Sequence, residues 1–178
     1  MKGAVFTEFI EFVEETYGFD TADTMLEPDG DNEKIYTQAG NYPFEELVAL
    51  VISVHITEQV EIEEIIYKFG VYLFKKLVHM APFLVQGSKN TLEVISKVDT
   101  YIHIEVKKLY PEAELPKFKV LTFEGNNLEM LYSSDKKLEI LAKGLMIGAS
   151  KYFNEEIVVD YRVVSEEPHT VIFNVQKV

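Results

Sequence analysis

Two groups of polar side chains in this sequence have types and spacings that suit cofactor binding. His103 lies in an apolar segment with helical periodicity, and the run Tyr132-Ser133-Ser134-Asp135-Lys136 begins 29 positions later. A neutral imidazole on a rigid helix can donate a nitrogen to a metal ion. In an extended segment, residues i, i+2 and i+4 point the same way, so Tyr132, Ser134 and Lys136 would bring two hydroxyls and a cation together. Such a patch suits an anion with several oxygens, such as a pair of carboxylates.

Each group also has an ordinary structural explanation when it is taken alone. His103 could be a half-buried histidine bonded to a carbonyl, since histidine is intermediate in burial. Tyr132, Ser134 and Lys136 could be the polar face of a strand. On the predicted helix, His103 lies at the edge of an apolar stripe that we expect to be buried, formed by Leu92, Ile95, Val98, Ile102, Val106 and Leu109. The two groups together are therefore more informative than either one.

The elements that must position these residues fall into two parts. Apolar spacings of three and four predict helices over residues 5–17, 43–56, 61–80 and 91–110, with a short element at Met25 and Leu26 and a turn-rich surface loop over residues 27–42. After Pro116, alternation predicts strands over residues 118–123 and 128–132, a helix over 137–153, and a terminal hairpin of 157–164 and 170–178. Helices followed by a small antiparallel sheet crossed by a helix make an α+β fold. No linker is long enough to separate independent domains.

The composition excludes several partners and chemistries. The chain has 178 residues, 47% of them hydrophobic, which is enough for one domain with a real core. A net charge of −13 argues against nucleic acid and against an anionic membrane surface, because both need a basic patch. The absence of cysteine excludes disulfides, thiolate metal sites and a cysteine nucleophile. With no apolar leader and no uncharged stretch of about 18 residues, we expect a cytoplasmic protein.

Catalytic motifs are missing from the sequence. There is no His-Glu-x-x-His, no Gly-x-Ser-x-Gly and no phosphate loop. His103-x-Glu105 is similar to the start of a zinc deaminase motif, but that chemistry needs cysteine ligands further along the chain. Asp29-Gly30-Asp31-Asn32 lacks the spacing of a calcium-binding EF-hand loop and is interpreted as a turn. We therefore predict that the protein is not an enzyme.

On these residues and on much of the surrounding chain, the sequence resembles the heme–nitric oxide/oxygen binding (H-NOX) family. The resemblance covers essentially the whole chain. It rests on residues that match the family in type and position: Met1-Lys2-Gly3, Tyr17-Gly18, His103, Leu109-Tyr110-Pro111, Pro116, Tyr132 with Ser134, and Gly144-Leu145 with Gly148, Lys151 and Phe153. His103 and the motif that follows it match the family in both type and separation. The resemblance indicates a bacterial stand-alone nitric oxide sensor.

The resemblance implies one domain that holds a heme between two halves. The helical distal part would span about residues 1–60 and the proximal part about residues 61–178. His103 would be the proximal ligand of the iron of heme b (iron protoporphyrin IX). By the same resemblance, Tyr132, Ser134 and Lys136 would hold the two propionates, and Pro116 would press on the porphyrin and help to distort it.

Two departures from the family pattern change what the resemblance implies. The family motif ends in arginine, whereas this chain has Lys136, which keeps the charge but loses the planar bidentate fork. Propionate anchoring is therefore expected to be looser, and Lys137 could share the role. Some relatives carry a cysteine–histidine zinc cluster in the final hairpin. Because this chain has no cysteine, we expect no zinc there and interpret His169 as a surface residue.

The distal residues decide which gas would bind. Oxygen-binding members of the family supply a distal tyrosine, because a ferrous dioxygen complex needs a nearby hydrogen-bond donor to persist. By resemblance the corresponding position is Leu141, and the facing positions are also apolar: Val5, Phe9, Leu73, Leu77 and Leu145. Tyr72 is adjacent to Leu73, but neighbours on a helix point about 100° apart. We therefore expect selectivity for nitric oxide, with carbon monoxide as a second ligand.

The resemblance also implies how a signal leaves the protein. Nitric oxide would release the His103 helix and move the helical half relative to the sheet half, a two-state element biased by a ligand. A lone domain of this size has no output of its own, so we expect a separate partner such as a histidine kinase or a diguanylate cyclase. The alternative is a heme-free protein-interaction module that retains the fold. Lys136 is the residue that favours this alternative.

Overall fold

The computed structural model describes residues 1–27 and 34–178. It separates into two compact units, Met1–Phe69 and Gly70–Val178. The turn predicted at Asp29-Gly30-Asp31-Asn32 lies outside the described residues, while residues 34–42 are irregular and largely exposed, as predicted. Within the described part of the chain, every helix is too short or too polar to cross a membrane.

The first unit is helical because its apolar residues recur at spacings of three and four. It contains α1 (Gly3–Tyr17), α2 (Phe19–Leu26), α3 (Phe44–Glu58) and the beginning of α4 (Ile62–Met80). α1 buries Phe6, Phe9, Phe12 and Val13, and it ends at Gly18, whose φ of 98° suits glycine. The helices predicted from the sequence are confirmed, and α2 is longer than the short element predicted there.

The second unit carries the sheet. After α4 and a 3-10 turn at Pro82–Val85 come α5 (Thr91–Ser96), a π-helical turn (Val98–Ile102) and α6 (His103–Leu109). The strands are β1 (Lys117–Glu124), β2 (Asn127–Ser133), β3 (Ile157–Glu166) and β4 (His169–Lys177), with α7 (Glu139–Tyr152) between β2 and β3. All pairs are antiparallel and the order is β1-β2-β4-β3. The predicted α+β fold with its terminal hairpin is confirmed.

The segment that carries His103 differs from the sequence prediction. The sequence predicts one continuous helix over residues 91–110, but the structure divides it at the π-helical turn. Such a turn contains an extra residue, which rotates the face presented by the turns that follow. Leu109 is consequently 60% exposed, so the prediction that it is buried is wrong. His103 becomes the first residue of α6.

The core of the second unit is built by alternation along the strands. Side chains of β2 and β4 point inward at every second position: Leu128, Met130, Tyr132, Val171, Phe173 and Val175. α5 and α7 pack on this face through Leu92, Ile95, Ala142 and Met146. Tyr132 is therefore a core residue, and the chain leaves the core directly after it.

Close packing of α7 against the second half of α4 depends on Gly148. A Cβ atom there would lie 2.6 Å from the Cβ of Phe74 and 2.8 Å from the carbonyl oxygen of Val71. We expect Gly148→Ala to destabilise the fold by about 1–3 kcal/mol through overpacking, although alanine favours helix by up to about 1 kcal/mol. Thermal and urea unfolding would measure this, with Lys151→Ala on the exposed side of α7 as control. A more stable Gly148→Ala protein would contradict the packing described.

Candidate functional site

His103 begins α6 and faces the start of β1. Its side chain is 16% exposed, and its ring centroid lies 5.8 Å from that of Phe118. The Nδ1 atom is buried and makes no well-formed hydrogen bond with any residue that the structure describes. Burial lowers the pKa of His103 below its ordinary value. Asp99 and the Pro116 carbonyl act in the opposite direction, but their effect is smaller than that of burial. The imidazole is therefore neutral at physiological pH, the form that binds a metal ion.

Asp99 is a site residue that the sequence reasoning missed. Its Oδ1 lies 3.5 Å from Nδ1 of His103 and accepts a hydrogen bond of 3.2 Å from the backbone N–H of Phe118. One carboxylate thus links the π-helical turn, the His103 ring and the first residues of β1. Acidic partners of this kind orient histidine ligands and raise their basicity. The signal in the sequence was an aspartate four positions before the histidine, a spacing that brings side chains together on a helix.

Tyr132 and Ser134 are brought together where β2 ends. The Tyr132 hydroxyl accepts a hydrogen bond of 3.1 Å from the backbone N–H of Leu138, and the Ser134 hydroxyl accepts one of 3.2 Å from the backbone N–H of Lys136. Burial raises the pKa of Tyr132, while hydrogen bonds from Ser134 and Leu138 act in the opposite direction. The phenol therefore keeps its proton and can donate it in a hydrogen bond to an anion. The Phe118 ring lies between the two parts of the site, with its centroid 5.1 Å from that of Tyr132.

Lys136 and Lys137 have different partners. Nζ of Lys136 pairs with Glu114, and the proximity of Lys136 holds the pKa of that carboxyl below its usual range. Glu114 lies two residues before Pro116, so this pair ties the end of the motif to the segment that leads into β1. Lys137 instead pairs with Glu166 at 3.0 Å. Of the two cations, Lys136 is the one whose pairing brings it to the Pro116 segment.

The apolar residues predicted for the distal pocket are distributed over both units. Leu73 is buried and Leu77, Leu141 and Leu145 are partly buried in the second unit. Val5 is partly buried and Phe9 fully buried in the first unit, where the Phe9 ring packs edge-on against Phe69 at 5.0 Å. Tyr72 carries Lys76 over its ring at 5.0 Å. The prediction that these leucines, Val5 and Phe9 face a heme stays a prediction.

The side chains of the second unit suit a metal held in a macrocycle better than a metal ion held by protein alone. Over residues 1–27 and 34–178, no three histidine, aspartate or glutamate side chains cluster in a way that could hold a metal ion. A single neutral imidazole suits a metal whose other ligands come from a macrocycle. Two hydroxyls and an ammonium suit the carboxylates of such a macrocycle.

Comparison with known proteins decides the family. The family model described as haem-NO-binding matches residues 2–161, most of the chain. The chain belongs to the H-NOX family. An H-NOX protein from Shewanella woodyi is 35% identical with a TM-score of 0.85, and the match covers 100% of this chain and 95% of that one.

Two further H-NOX structures match the whole of this chain. One from K. algicida in the unliganded Fe(II) state is 29% identical with a TM-score of 0.89, covering 97% of that chain. One from S. oneidensis in the Fe(II)NO state is 25% identical with a TM-score of 0.90, covering 99% of that chain. Comparison with curated protein sequences found no match. Membership of the H-NOX family supports a heme-based gas sensor, and members of the family are sensor domains rather than enzymes.

His169 is not at the surface of this H-NOX protein, so that prediction is wrong. Only 5% of the residue is exposed, and its ring lies between two carboxylates. Nε2 is 3.2 Å from Glu139 at the start of α7, and Nδ1 is 3.5 Å from Glu166 at the end of β3. Neither ring nitrogen makes a well-formed hydrogen bond with any residue that the structure describes, so the two carboxylates are close neighbours of the ring rather than hydrogen-bond acceptors.

Proposed function

We propose that this H-NOX protein senses nitric oxide through a ferrous heme b whose iron is held by His103. The observation that carries the proposal is the largely buried imidazole of His103, which packs against Phe118, which in turn packs against Tyr132 of the segment that holds Tyr132, Ser134 and Lys136. When bound, the heme supplies an iron that takes up a diatomic gas. The protein would supply one nitrogen, from His103, and an apolar setting.

The residues of the second unit would divide the work of holding the heme. Asp99, whose Oδ1 lies 3.5 Å from Nδ1 of His103, would orient the ring from that side and leave Nε2 to bind the metal. Tyr132 and Ser134 would donate hydrogen bonds to the propionates. Lys136, which now pairs with the exposed Glu114, would offset their charge. We assign Pro116 to contact with the porphyrin, because it lies directly before β1 and its carbonyl is near the His103 ring.

Nitric oxide is the ligand that the distal side chains favour. Leu73, Leu77, Leu141 and Leu145, with Val5 and Phe9, offer no hydrogen-bond donor to stabilise bound dioxygen. Carbon monoxide, which needs no donor, is proposed as a second ligand. Relatives studied as Fe(II)NO and Fe(II)CO forms support both gases.

The output of the sensor is proposed to be a change of conformation read by a separate protein. α6 is short and follows a π-helical turn, so it offers a segment whose packing can change with the state of His103. We propose a histidine kinase or a diguanylate cyclase in the cytoplasm as the partner, and no catalytic activity in this chain.

Absorption spectra of the reduced protein test this function. With heme supplied during expression, we expect a five-coordinate ferrous spectrum that air leaves unchanged and nitric oxide converts. A stable dioxygen complex would contradict nitric oxide selectivity. Tyr72 would then be the first candidate for the hydrogen-bond donor to dioxygen. A protein without any heme band would contradict the heme function and favour the heme-free interaction module. The departure at Lys136 is the observation that supports this second candidate.

A further inference from the structure

The buried imidazole of His169 lies directly behind the segment proposed to bind the propionates. His169 is the first residue of β4, and β4 pairs with β2, which carries Tyr132. The backbone carbonyl of His169 accepts a hydrogen bond of 3.2 Å from the Ser133 hydroxyl and one of 3.3 Å from the backbone N–H of Ser134. These hydrogen bonds tie the backbone of Ser134 and the side chain of Ser133 to the backbone of His169.

Close contacts with two carboxylates connect the side chain of His169 to the other end of the same segment, although neither ring nitrogen makes a well-formed hydrogen bond with any residue that the structure describes. Its Nδ1 lies 3.5 Å from Glu166, and Glu166 also binds Nζ of Lys137 at 3.0 Å. Its Nε2 lies 3.2 Å from Glu139, which is only 14% exposed. His169 is thus the shared neighbour of the β2 end, the β3 end and the first turn of α7.

The segment needs such support because its backbone is strained. Lys137 has a φ of 49°, in the left-handed region that is unfavourable for a residue other than glycine. Conformations of this kind persist where surrounding contacts determine them. Here the contacts are the Lys137–Glu166 pair, the hydrogen bond from Leu138 to the Tyr132 hydroxyl, and the His169 carbonyl.

We propose that His169 is a positioning residue for carboxylate recognition, holding residues 132–137 in the shape that presents Tyr132, Ser134 and Lys136 to the two propionates of a heme. This inference rests on the proposed heme function and deepens it. His169 acts through the loop and does not itself touch the carboxylates.

The test compares two hemes that differ only at the propionates. The measured quantity is the rate at which each heme leaves the protein for excess apomyoglobin. It is determined for protoheme and for protoheme dimethyl ester, each bound to the unaltered protein and to His169→Gln. With protoheme, we expect release about tenfold faster in the variant, the lower end of what outer partners of a bound metal group contribute. With the dimethyl ester, which lacks the carboxylates, we expect the two proteins to differ by less than about twofold. A general loss of structure would accelerate both hemes alike.

Two additional variants keep this experiment decisive. If His169→Gln does not fold, Glu139→Gln, which retains the side-chain volume, takes its place. We again expect faster release of protoheme and little change for the dimethyl ester. His79→Gln, at an exposed histidine of α4, should leave both rates unchanged. Equal acceleration for the two hemes, or none, would overturn the positioning role while leaving the heme function intact. An unaltered protein that takes up neither heme would overturn both.

Discussion

Replacing His103 with glycine is expected to raise the rate of heme release at least about 100-fold. Mutating a residue that hydrogen-bonds to a metal ligand lowers metal affinity by about 10–100-fold. His103 is proposed as the ligand itself, so a larger effect is expected. The change also removes the ring beside Phe118 without adding a new group. Absorbance during heme transfer to apomyoglobin measures the rate.

Exogenous imidazole separates loss of the ligand from loss of the fold. In His103→Gly, millimolar imidazole should restore heme binding, because the space beside Asp99 and Phe118 would accept the free ring. His79→Gly, in the last turn of α4, is the matched control and should release heme at the unaltered rate. If His103→Gly kept its heme without imidazole, the ligand would have to be another residue.

The charge of Asp99 is expected to contribute about tenfold to heme retention. Asp99→Asn keeps an oxygen that can accept the Phe118 N–H but removes the negative charge near Nδ1 of His103. A less basic imidazole binds iron more weakly. The expected effect is at the lower end of the range for such partners because Asp99 is 44% exposed, and water screens its charge. Heme release kinetics measure it.

Glu105→Gln is the control for this charge effect. Glu105 lies on α6 two residues after His103, and its carboxylate binds Lys108. Glu105 has the same charge as Asp99 and lies on the same segment. However, Glu105 pairs with Lys108, whereas Asp99 lies beside His103. Equal changes in Asp99→Asn and Glu105→Gln would mean that only the net charge near α6 matters, and the role given to Asp99 would be wrong.

Local patterns were enough to predict most of the fold. The apolar spacing in α1 and α3 and the alternation in β2 and β4 are set by neighbours within a few residues. They therefore predict which elements form and which faces are buried. Tyr132 shows the limit of local patterns, since its polar neighbours were compatible with the polar face of a strand but its ring lies in the core.

The features that could not be predicted depend on distant partners. The π-helical turn before His103 coincides with the bond between Asp99 and the Phe118 backbone, which joins segments separated in the chain. The burial of His169 places it beside Glu139, which comes from another element. The pairing of Lys136 with Glu114 is equally non-local. The heme assignment of His103 came from family resemblance, because a histidine on an apolar helix has many ordinary explanations.

Resonance Raman spectroscopy of the reduced protein, prepared with two iron isotopes, is the most direct test of iron ligation by His103. We expect a low-frequency iron–histidine stretching band that shifts with the isotope. In His103→Gly, this band should be absent without imidazole and should return, at a changed frequency, when imidazole is added. An isotope-sensitive iron–histidine band that persists unchanged in His103→Gly would contradict the proposal that His103 binds the iron.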